Sequence, residues 1–463
     1  MAEKSGIKPS ILVLLFAIVF SLSTYEYWQT WKRGQGTPFV WDVEMYYSYL
    51  PAALLQHDLS FSQSKVPMQV MPNGNKNPKY TCGMAIMYAP FFLMGHKIAI
   101  NQHSPLDGWS EPYATMIHFG SIFYVLLGLF FLRKVLLRFY SETITAVLLF
   151  VAFFGTNLLY YTLREGEYSH GYLFCLVSAF LLVTIKWHQQ PKISNSILLG
   201  FLIGLITLIR PTDCLFFIVF VLYGVRDKES FRAQMRFFLL HKGKLGLIFL
   251  FGFLMVLPQI VFWKVFMGSF FFFSYSNEGF FWGDPRIWEV LFSYRKGWLV
   301  YTPVMVFSLI GLFYMKKYVS EFRFGLIVFF VLNLYVISCW WCWWYGGSFG
   351  MRALVESYPL MMLPFGAFLQ AVVSGTSRFA WLGHLKKYGV TVCLMCFVCL
   401  NMIQTYQCRV SMIHYDSMNK DAYWQIFDKF EFHTPEDQER YYKSLTKIDY
   451  DAAMKGAEGR RDY

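Results

Sequence analysis

Two acidic side chains, Asp42 and Glu44, stand two residues apart just beyond the first long apolar segment, residues 11–22. A carboxylate at a membrane surface costs free energy unless it is paired or takes part in a reaction. Apolar residues at helical spacing follow, so we predict a helix along the outer membrane surface that begins at this pair. The carboxylates either stabilise the start of that helix or supply an acid or base to an active site, and we favour the active site.

Cationic side chains are expected on the same side of the membrane as this pair. They are Arg164, His170, Arg210 and Arg352. Basic residues on the inner side follow from membrane insertion, whereas arginines on the outer side indicate an anionic ligand or paired carboxylates. Because a guanidinium can hold two oxygens at once, we predict a site for a phosphate-bearing substrate with a carboxylate as general base.

Each of these cationic residues also has a structural interpretation. Arg210 precedes Pro211, so it can simply mark a helix break and satisfy the freed backbone groups. His170 begins a span and is as readily structural as catalytic. Arg352 follows three glycines that would let a loop approach a ligand closely, and there we favour ligand binding. The tryptophans of the same loop are expected to form an interfacial belt: Trp340, Trp341, Trp343 and Trp344.

The composition is that of a membrane protein. Of the 463 residues, 56% are hydrophobic and only 15% are charged, whereas a soluble domain carries roughly 25% charged residues. The net charge of +12 does not point to nucleic acid, because Lys and Arg fall in short clusters between apolar runs. The nine cysteines lie mostly in apolar runs and show neither zinc-type spacing nor a disulfide framework.

The sequence therefore predicts an all-α polytopic membrane protein with about eleven transmembrane helices. Residues 84–100 are apolar, but a crossing there would place the basic cluster at 133–138 outside, so we predict an interfacial or re-entrant segment. The predicted spans are residues 11–22, 115–132, 145–161, 171–187, 197–209, 214–223, 245–263, 300–314, 324–340, 354–373 and 390–403.

The chain is predicted to consist of two regions. Residues 1–404 form the membrane domain, whose outer first loop, residues 24–113, carries the acidic pair and amphipathic surface helices. Residues 405–463 form a short polar tail outside the cytoplasm, too charged to have much core of its own. No small-residue cleavage site follows the first apolar segment, so we expect it to be retained as a helix.

Four stretches together resemble the GT-C superfamily of integral-membrane glycosyltransferases, in particular its branch of protein mannosyltransferases and lipid A aminoarabinose transferases. They are residues 41–47, 168–170, 208–212 and 345–352. The resemblance runs over most of the membrane region. In that branch Asp and Glu are usually adjacent, whereas Val43 separates them here. This leaves open whether Asp42 or Glu44 holds the catalytic place, and we favour Asp42. Tyr46, in the Tyr-Tyr pair of the first stretch, is assigned to substrate binding.

The resemblance implies a hexosyltransferase of the bacterial inner membrane with its active site facing the periplasm or exterior. Its donor would be a polyprenyl-phosphate sugar, and its acceptor a hydroxyl of a lipid, glycan or protein. A carboxylate removes the hydroxyl proton as the oxygen attacks and inverts the anomeric carbon, and cations stabilise the leaving phosphate. Some members bind a divalent cation, so Asp42 and Glu44 could instead ligate Mg²⁺ or Mn²⁺.

Other functions remain open at this point. A transporter or flippase for lipid-linked sugars should carry ionisable groups along a path through the spans, whereas here they gather at one predicted face. A polymerase or ligase for surface polysaccharide would use a lipid-linked oligosaccharide donor, and the sequence does not separate it from the favoured function. A non-catalytic assembly protein would not need arginines and acids on the outer face. Besides the donor and acceptor, the expected partners are membrane lipids.

Overall fold

The structure is a computed structural model that describes residues 6–29, 31, 37–375 and 380–456. It confirms the predicted all-α polytopic membrane fold. In chain order the α-helices are α1 Pro9–Ser23, α2 Tyr25–Trp28, α3 Asp42–Tyr47, α4 Tyr49–Pro51, α5 Gly83–Asn101, α6 Glu111–Leu136, α7 Glu142–Phe154, α8 Tyr160–Leu163, α9 Ser169–Gln189, α10 Ile193–Ile209, α11 Phe217–Val221, α12 Lys228–Leu240, α13 Lys242–Phe262, α14 Ile287–Phe292, α15 Trp298–Tyr301, α16 Val306–Gly311, α17 Met315–Tyr318, α18 Ser320–Ser338, α19 Tyr358–Ser374, α20 Ala380–Arg409, α21 Lys420–Ile426, α22 Pro435–Ser444 and α23 Tyr450–Met454.

Short irregular elements complete the described chain. Strands β1, Gln69–Val70, and β2, Lys76–Asn77, pair antiparallel in a small hairpin. The remaining helical segments are the π-helices Ala52–Gln56 and Trp263–Met267 and the 3₁₀-helices Pro211–Phe216, Pro303–Met305 and Arg352–Ser357. The helical run predicted after the acidic pair is therefore present as α3, α4 and the π-helix that follows them.

Seven helices within the described residues are long and apolar enough to cross a membrane. They are Gly83–Asn101, Glu111–Leu136, Ser169–Gln189, Lys242–Met267, Ser320–Ser338, Arg352–Ser374 and Lys387–Arg409. Four shorter apolar helices accompany them: Pro9–Ser23, Glu142–Phe154, Ile193–Ile209 and Pro211–Val221. The predicted single span at 300–314 is instead broken into α15, a 3₁₀ turn and α16, because Pro303 cannot continue the helix hydrogen bonding.

The segment predicted to be interfacial, residues 84–100, forms one continuous helix, α5. Pro90 lies inside this helix without ending it. The helix is long and apolar enough to span a bilayer. That it does not cross remains a prediction, which rests on the charge rule alone.

The described chain divides into two compact units. The first comprises residues 6–19, 132–160, 277–375 and 380–456. At its centre lies α19, whose side chains are mostly buried and which packs against α16 and α7. The backbones of α16 and α19 come so close at Gly311 that any side chain there would collide with the carbonyl of Pro364.

The described C-terminal residues belong to this first unit. Helix α20 runs past the predicted boundary at 404 to Arg409. The Gln404 side-chain amide donates to the Tyr423 hydroxyl at 2.9 Å, and the buried Tyr441 donates its hydroxyl to the carbonyl of Met412. Buried aromatic side chains with satisfied hydroxyls therefore hold the tail in place.

The second unit comprises the described residues of 20–131 and 161–276. Helices α10 and α13 pack face to face because small residues line their contact. A Cβ added at Gly200 would lie 2.5 Å from the carbonyl oxygen of Ile248, and one added at Gly204 would lie 2.6 Å from that of Gly252. Helix α9 is buried along nearly its whole length. This close packing gives a rigid frame for the loops that carry the predicted site residues.

Candidate functional site

The acidic pair lies in the first turn of α3, as the sequence predicts. The residue before it, Trp41, adopts a left-handed backbone conformation with φ of 53°, which is rare for a non-glycine residue, and its side chain is 79% exposed. Trp41 occupies the N-cap position and no side chain caps the helix there. Asp42 is therefore the first helical residue and not the N-cap, and its charge still suits a helix N-terminus.

A tyrosine that the sequence analysis missed holds the first carboxylate. The hydroxyl of Tyr80 donates to Oδ1 of Asp42 at 2.7 Å. The ring of Tyr80 lies 4.5 Å from the ring of Tyr46, centre to centre, and its backbone carbonyl accepts a hydrogen bond of 2.9 Å from the hydroxyl of Tyr49. Burial and the charge of Asp42 raise the pKa of Tyr80 well above its usual value, so it remains a donor at neutral pH.

The side chain of Lys79 lies close to the ring of Tyr80. The Lys79 ammonium lies 5.7 Å from the ring centre of Tyr80 and 5.3 Å from that of Tyr275, within the range of cation–π attraction. The two rings meet edge to face at 5.8 Å. The sequence analysis selected neither Lys79 nor Tyr80. The available signal was a basic and an aromatic residue side by side at the end of the stretch 72–80, which is rich in Pro, Asn and Gly.

The second acid, Glu44, has a different environment. Its side chain is half-buried, and burial raises the pKa of its carboxyl above the usual value. Among the described residues no hydrogen bond or ion pair joins this carboxylate to another side chain. Asp42 is thus the oriented acid of the pair and Glu44 the partly desolvated one. A general base needs both orientation and a suitable pKa, so the geometry leaves the choice between them open.

The turn at Arg210 lies next to the same segment of the outer loop. The hydroxyl of Thr81 donates to the carbonyl of Leu208. A Cβ added at Gly83 would lie 2.8 Å from the backbone nitrogen of Ile209, so only glycine fits this approach. The predicted helix break is present, because α10 ends at Ile209 and Arg210 has an extended backbone. Residues 80–83 therefore bridge Asp42 and the Arg210 turn.

The loop that carries Arg164 and His170 contacts the next turns of α5. Tyr88 lies in the second turn of α5. Its hydroxyl donates to the backbone carbonyl of Glu167. Arg164 is half-buried, and its Nε has no hydrogen-bond partner among the described residues. His170 is buried, with its ring edge-on to Tyr161 at 5.0 Å. The second unit thus brings this loop and the Arg210 turn to one stretch of α5 and the loop before it.

A buried histidine and glutamate, which the sequence analysis did not select, fix this loop to α6. Nδ1 of His118 lies 2.7 Å from Oε1 of Glu167, and both side chains are buried. Gln29 accepts from the Trp31 indole and donates to the carbonyl of Leu163. Its amide nitrogen therefore also donates to Nε2 of His118. Nε2 of His118 is then the acceptor from Gln29, and Nδ1 is the donor to Oε1 of Glu167. The available signal was a histidine within a predicted span, which needs a partner.

Arg352 belongs to the first unit, whereas the other predicted site residues belong to the second. Of the glycines before it, Gly346 and Gly350 have φ of 62° and 59°. Gly350 is packed against the protein itself, since an added Cβ would lie 2.9 Å from Cβ of Tyr301. The side chain of Arg352 is half-buried.

The prediction of a tryptophan belt is wrong for two of the four residues. Trp343 and Trp344 are buried, and the buried guanidinium of Arg295 lies 4.0 Å from the ring centre of Trp344. Trp341 is half-buried, and its indole donates to Glu278 at 3.0 Å. The sequence could not show this, because an aromatic belt and an aromatic cluster around a buried cation have the same local composition.

The first unit also contains a small, partly open pocket. Trp340, Trp341 and Arg286 line it. The guanidinium of Arg286 lies 3.1 Å from Asp284 and 3.5 Å from Glu289, so carboxylates already compensate its charge. This pocket is therefore a weak candidate for binding phosphate.

Few of the described side chains near the acidic pair are available to ligate a metal ion. In the part of the chain that the structure describes, no three His, Cys, Asp or Glu side chains group closely enough to hold an ion. Asp42 and Glu44 would be two carboxylate ligands, and Mg²⁺ or Mn²⁺ at such a site would need its remaining ligands from water, substrate or backbone.

Two of the solved structures with a fold similar to this chain are both of an oligosaccharyltransferase. One is the archaeal oligosaccharyltransferase AglB from Archaeoglobus fulgidus in complex with an inhibitory peptide and a dolichol-phosphate, at 11% identity and a TM-score of 0.48, covering 98% of this chain and 61% of that chain. The other is the apo form of the oligosaccharyltransferase from the same organism, at 11% identity and a TM-score of 0.49 with the same coverage. This chain therefore spans about three fifths of each. No family model and no curated protein matches it. A likeness this distant concerns the fold and carries no argument about activity.

Proposed function

We propose that this protein is a membrane glycosyltransferase that moves a sugar from a polyprenyl-phosphate donor to an acceptor hydroxyl. The observation that carries the proposal is the hydrogen bond from Tyr80 to Asp42, on a segment that also contacts the Arg210 turn. An oriented carboxylate and a cation near one stretch of chain are what glycosyl transfer from a phosphate leaving group requires.

In the proposed reaction Asp42 accepts the proton of the acceptor hydroxyl as its oxygen attacks the anomeric carbon. The carbon–oxygen bond to the lipid phosphate breaks at the same time, and the configuration at that carbon inverts. Arg210 stabilises the negative charge that develops on the phosphate. Tyr80 keeps the carboxylate aimed, because it remains protonated and donates to Oδ1. Arg164, His170 and Tyr46 are proposed as further contacts for the donor. Arg352, in the first unit, is proposed separately as a phosphate-binding residue.

The proposal places the protein in the bacterial inner membrane with the reaction on the periplasmic or outer side. If the site also holds Mg²⁺ or Mn²⁺, Asp42 and Glu44 are the residues to ligate it, and chelation should then lower turnover. The acceptor is a hydroxyl of a lipid, glycan or protein, and the surface-glycan profile of a deletion strain would identify it.

The decisive experiment compares Asp42→Asn with Glu44→Gln. Membranes containing each variant are supplied with a panel of radiolabelled polyprenyl-phosphate hexoses, and with a lipid-linked oligosaccharide as the competing donor class. Asp42→Asn keeps size and hydrogen bonding but removes proton acceptance, so transfer should fall about 10²–10⁴-fold. Immunoblotting and thermal unfolding show that the variant is inserted and folded.

Each other result has a distinct meaning. Near-normal transfer in Asp42→Asn with loss in Glu44→Gln would move the base to Glu44. Near-normal transfer in both variants would remove the acidic pair from catalysis. Transfer from the oligosaccharide donor alone would replace hexosyl transfer with polymerase or ligase activity.

A further inference from the structure

Helix α12 lies where two candidate membrane spans end. One face of it packs on the C-terminal turn of α9: the ring centres of Phe237 and Phe238 lie 5.6 and 5.9 Å from that of Trp187, and Nε2 of Gln234 lies 2.9 Å from Nε2 of His188. After α12 the chain turns at once into α13, which begins at Lys242. A helix at the ends of two apolar spans lies at the level of the lipid headgroups.

The opposite face of α12 is cationic. Lys228, Arg232 and Arg236 recur at every fourth position, so they form one stripe along the helix, and all three are exposed. Among the described residues no carboxylate pairs with any of them. From residue 226 to 244 the chain carries six Lys and Arg against two acidic residues, Asp227 and Glu229. Those two acids lie at the helix start, where Asp227 caps α12 through the backbone nitrogen of Ser230.

Large apolar side chains flank this cationic stripe and are exposed. The exposed fractions are 42% for Phe231, 71% for Leu239 and 82% for Leu240. A helix face turned only to water would not favour such side chains, whereas a helix lying in a headgroup layer inserts them into the acyl boundary. Cations between them are then level with the lipid phosphates.

We propose that the exposed face of α12 is a binding surface for anionic phospholipid headgroups. The occupant follows from charge complementarity: unpaired guanidinium and ammonium groups face outward at headgroup level, and the lipid phosphate is the anion present there. The apolar flank distinguishes a lipid from nucleic acid, which offers no acyl layer for Leu239 and Leu240. This surface does not depend on the proposed transferase activity.

The test uses the full-length protein in nanodiscs of phosphatidylcholine with or without phosphatidylglycerol. Hydrogen exchange of peptides covering residues 228–240 should slow when phosphatidylglycerol is present. In detergent, native mass spectrometry should show phosphatidylglycerol binding that weakens roughly fivefold for each cation removed. The variant is Lys228→Gln with Arg232→Gln and Arg236→Gln. The matched control removes three exposed cations of the first unit, in Lys316→Gln with Lys317→Gln and Arg323→Gln.

Loss of the exchange difference at 228–240 in the α12 variant, with the control variant unchanged there, is the expected result. Equal exchange in the two lipid compositions for the unaltered protein would overturn the proposal. Inorganic phosphate or duplex DNA that displaces the lipid at millimolar concentration or below would reassign the surface to that ligand. Should the triple variant unfold, the salt dependence of the unaltered protein decides: lipid selectivity that does not fall between 50 and about 500 mM salt would also overturn it.

Discussion

Replacing Tyr80 with phenylalanine tests whether the orientation of Asp42 matters for activity. The substitution removes one oxygen and keeps the ring, so the 4.5 Å ring contact with Tyr46 is retained. What is lost is the hydrogen bond of 2.7 Å to Oδ1 of Asp42. The carboxylate then lacks the donor that aims it, and fewer of its conformations can reach the acceptor hydroxyl.

The size of the effect follows from that bond. A hydrogen bond to a charged group contributes about 1.5–3 kcal/mol, and about 1.4 kcal/mol corresponds to a tenfold change in rate. Tyr80→Phe should therefore lower kcat roughly 10- to 100-fold with little change in KM, because the tyrosine acts on the base and not on donor binding. This loss should be smaller than that of Asp42→Asn, which removes the base itself.

The assay follows transfer from a polyprenyl-phosphate hexose under initial-rate conditions. Tyr124→Phe is the matched control, since it makes the same chemical change in the same unit at a tyrosine for which no hydrogen bond is found among the described residues. The double variant Tyr80→Phe with Asp42→Asn should be no slower than Asp42→Asn alone. A multiplicative loss in the double variant, or an unchanged kcat in Tyr80→Phe, would refute the reasoning.

Two further predictions concern the same unit. Gly83→Ala should lower the free energy of unfolding by about 1–3 kcal/mol and reduce transfer, because its Cβ would lie 2.8 Å from the backbone nitrogen of Ile209. Gly246→Ala is the control, since an added Cβ there has nothing within 4 Å. Equal losses in both variants would contradict this account. If α5 does not cross the membrane, single cysteines placed at Asn101 or Glu111 should react with an impermeant thiol reagent added from outside. Reaction only from the cytoplasmic side would show that α5 crosses.

Much of the local structure follows from the sequence. Apolar runs of membrane-spanning length predict most of the helices, because a helix satisfies its own backbone hydrogen bonds wherever the surroundings are apolar. The break at Arg210 follows from Pro211, which disfavours a helical backbone at the preceding residue. The helix start at Asp42 follows from the amphipathic pattern after it. Each of these features depends on neighbours within a few positions.

The tertiary structure decided the partners of those elements. Asp42 and Tyr80 are 38 residues apart, and His118 and Glu167 are 49 apart, so no local pattern could pair them. The sequence likewise could not predict that α5 continues through Pro90. Packing on neighbouring helices can compensate for the backbone hydrogen bond that proline removes, and this packing depends on distant segments. The buried positions of Trp343 and Trp344 around Arg295 depend on how distant segments of the first unit pack. Composition and periodicity specify which segments are helical and apolar, whereas side-chain contacts between remote segments depend on the packing of the whole chain.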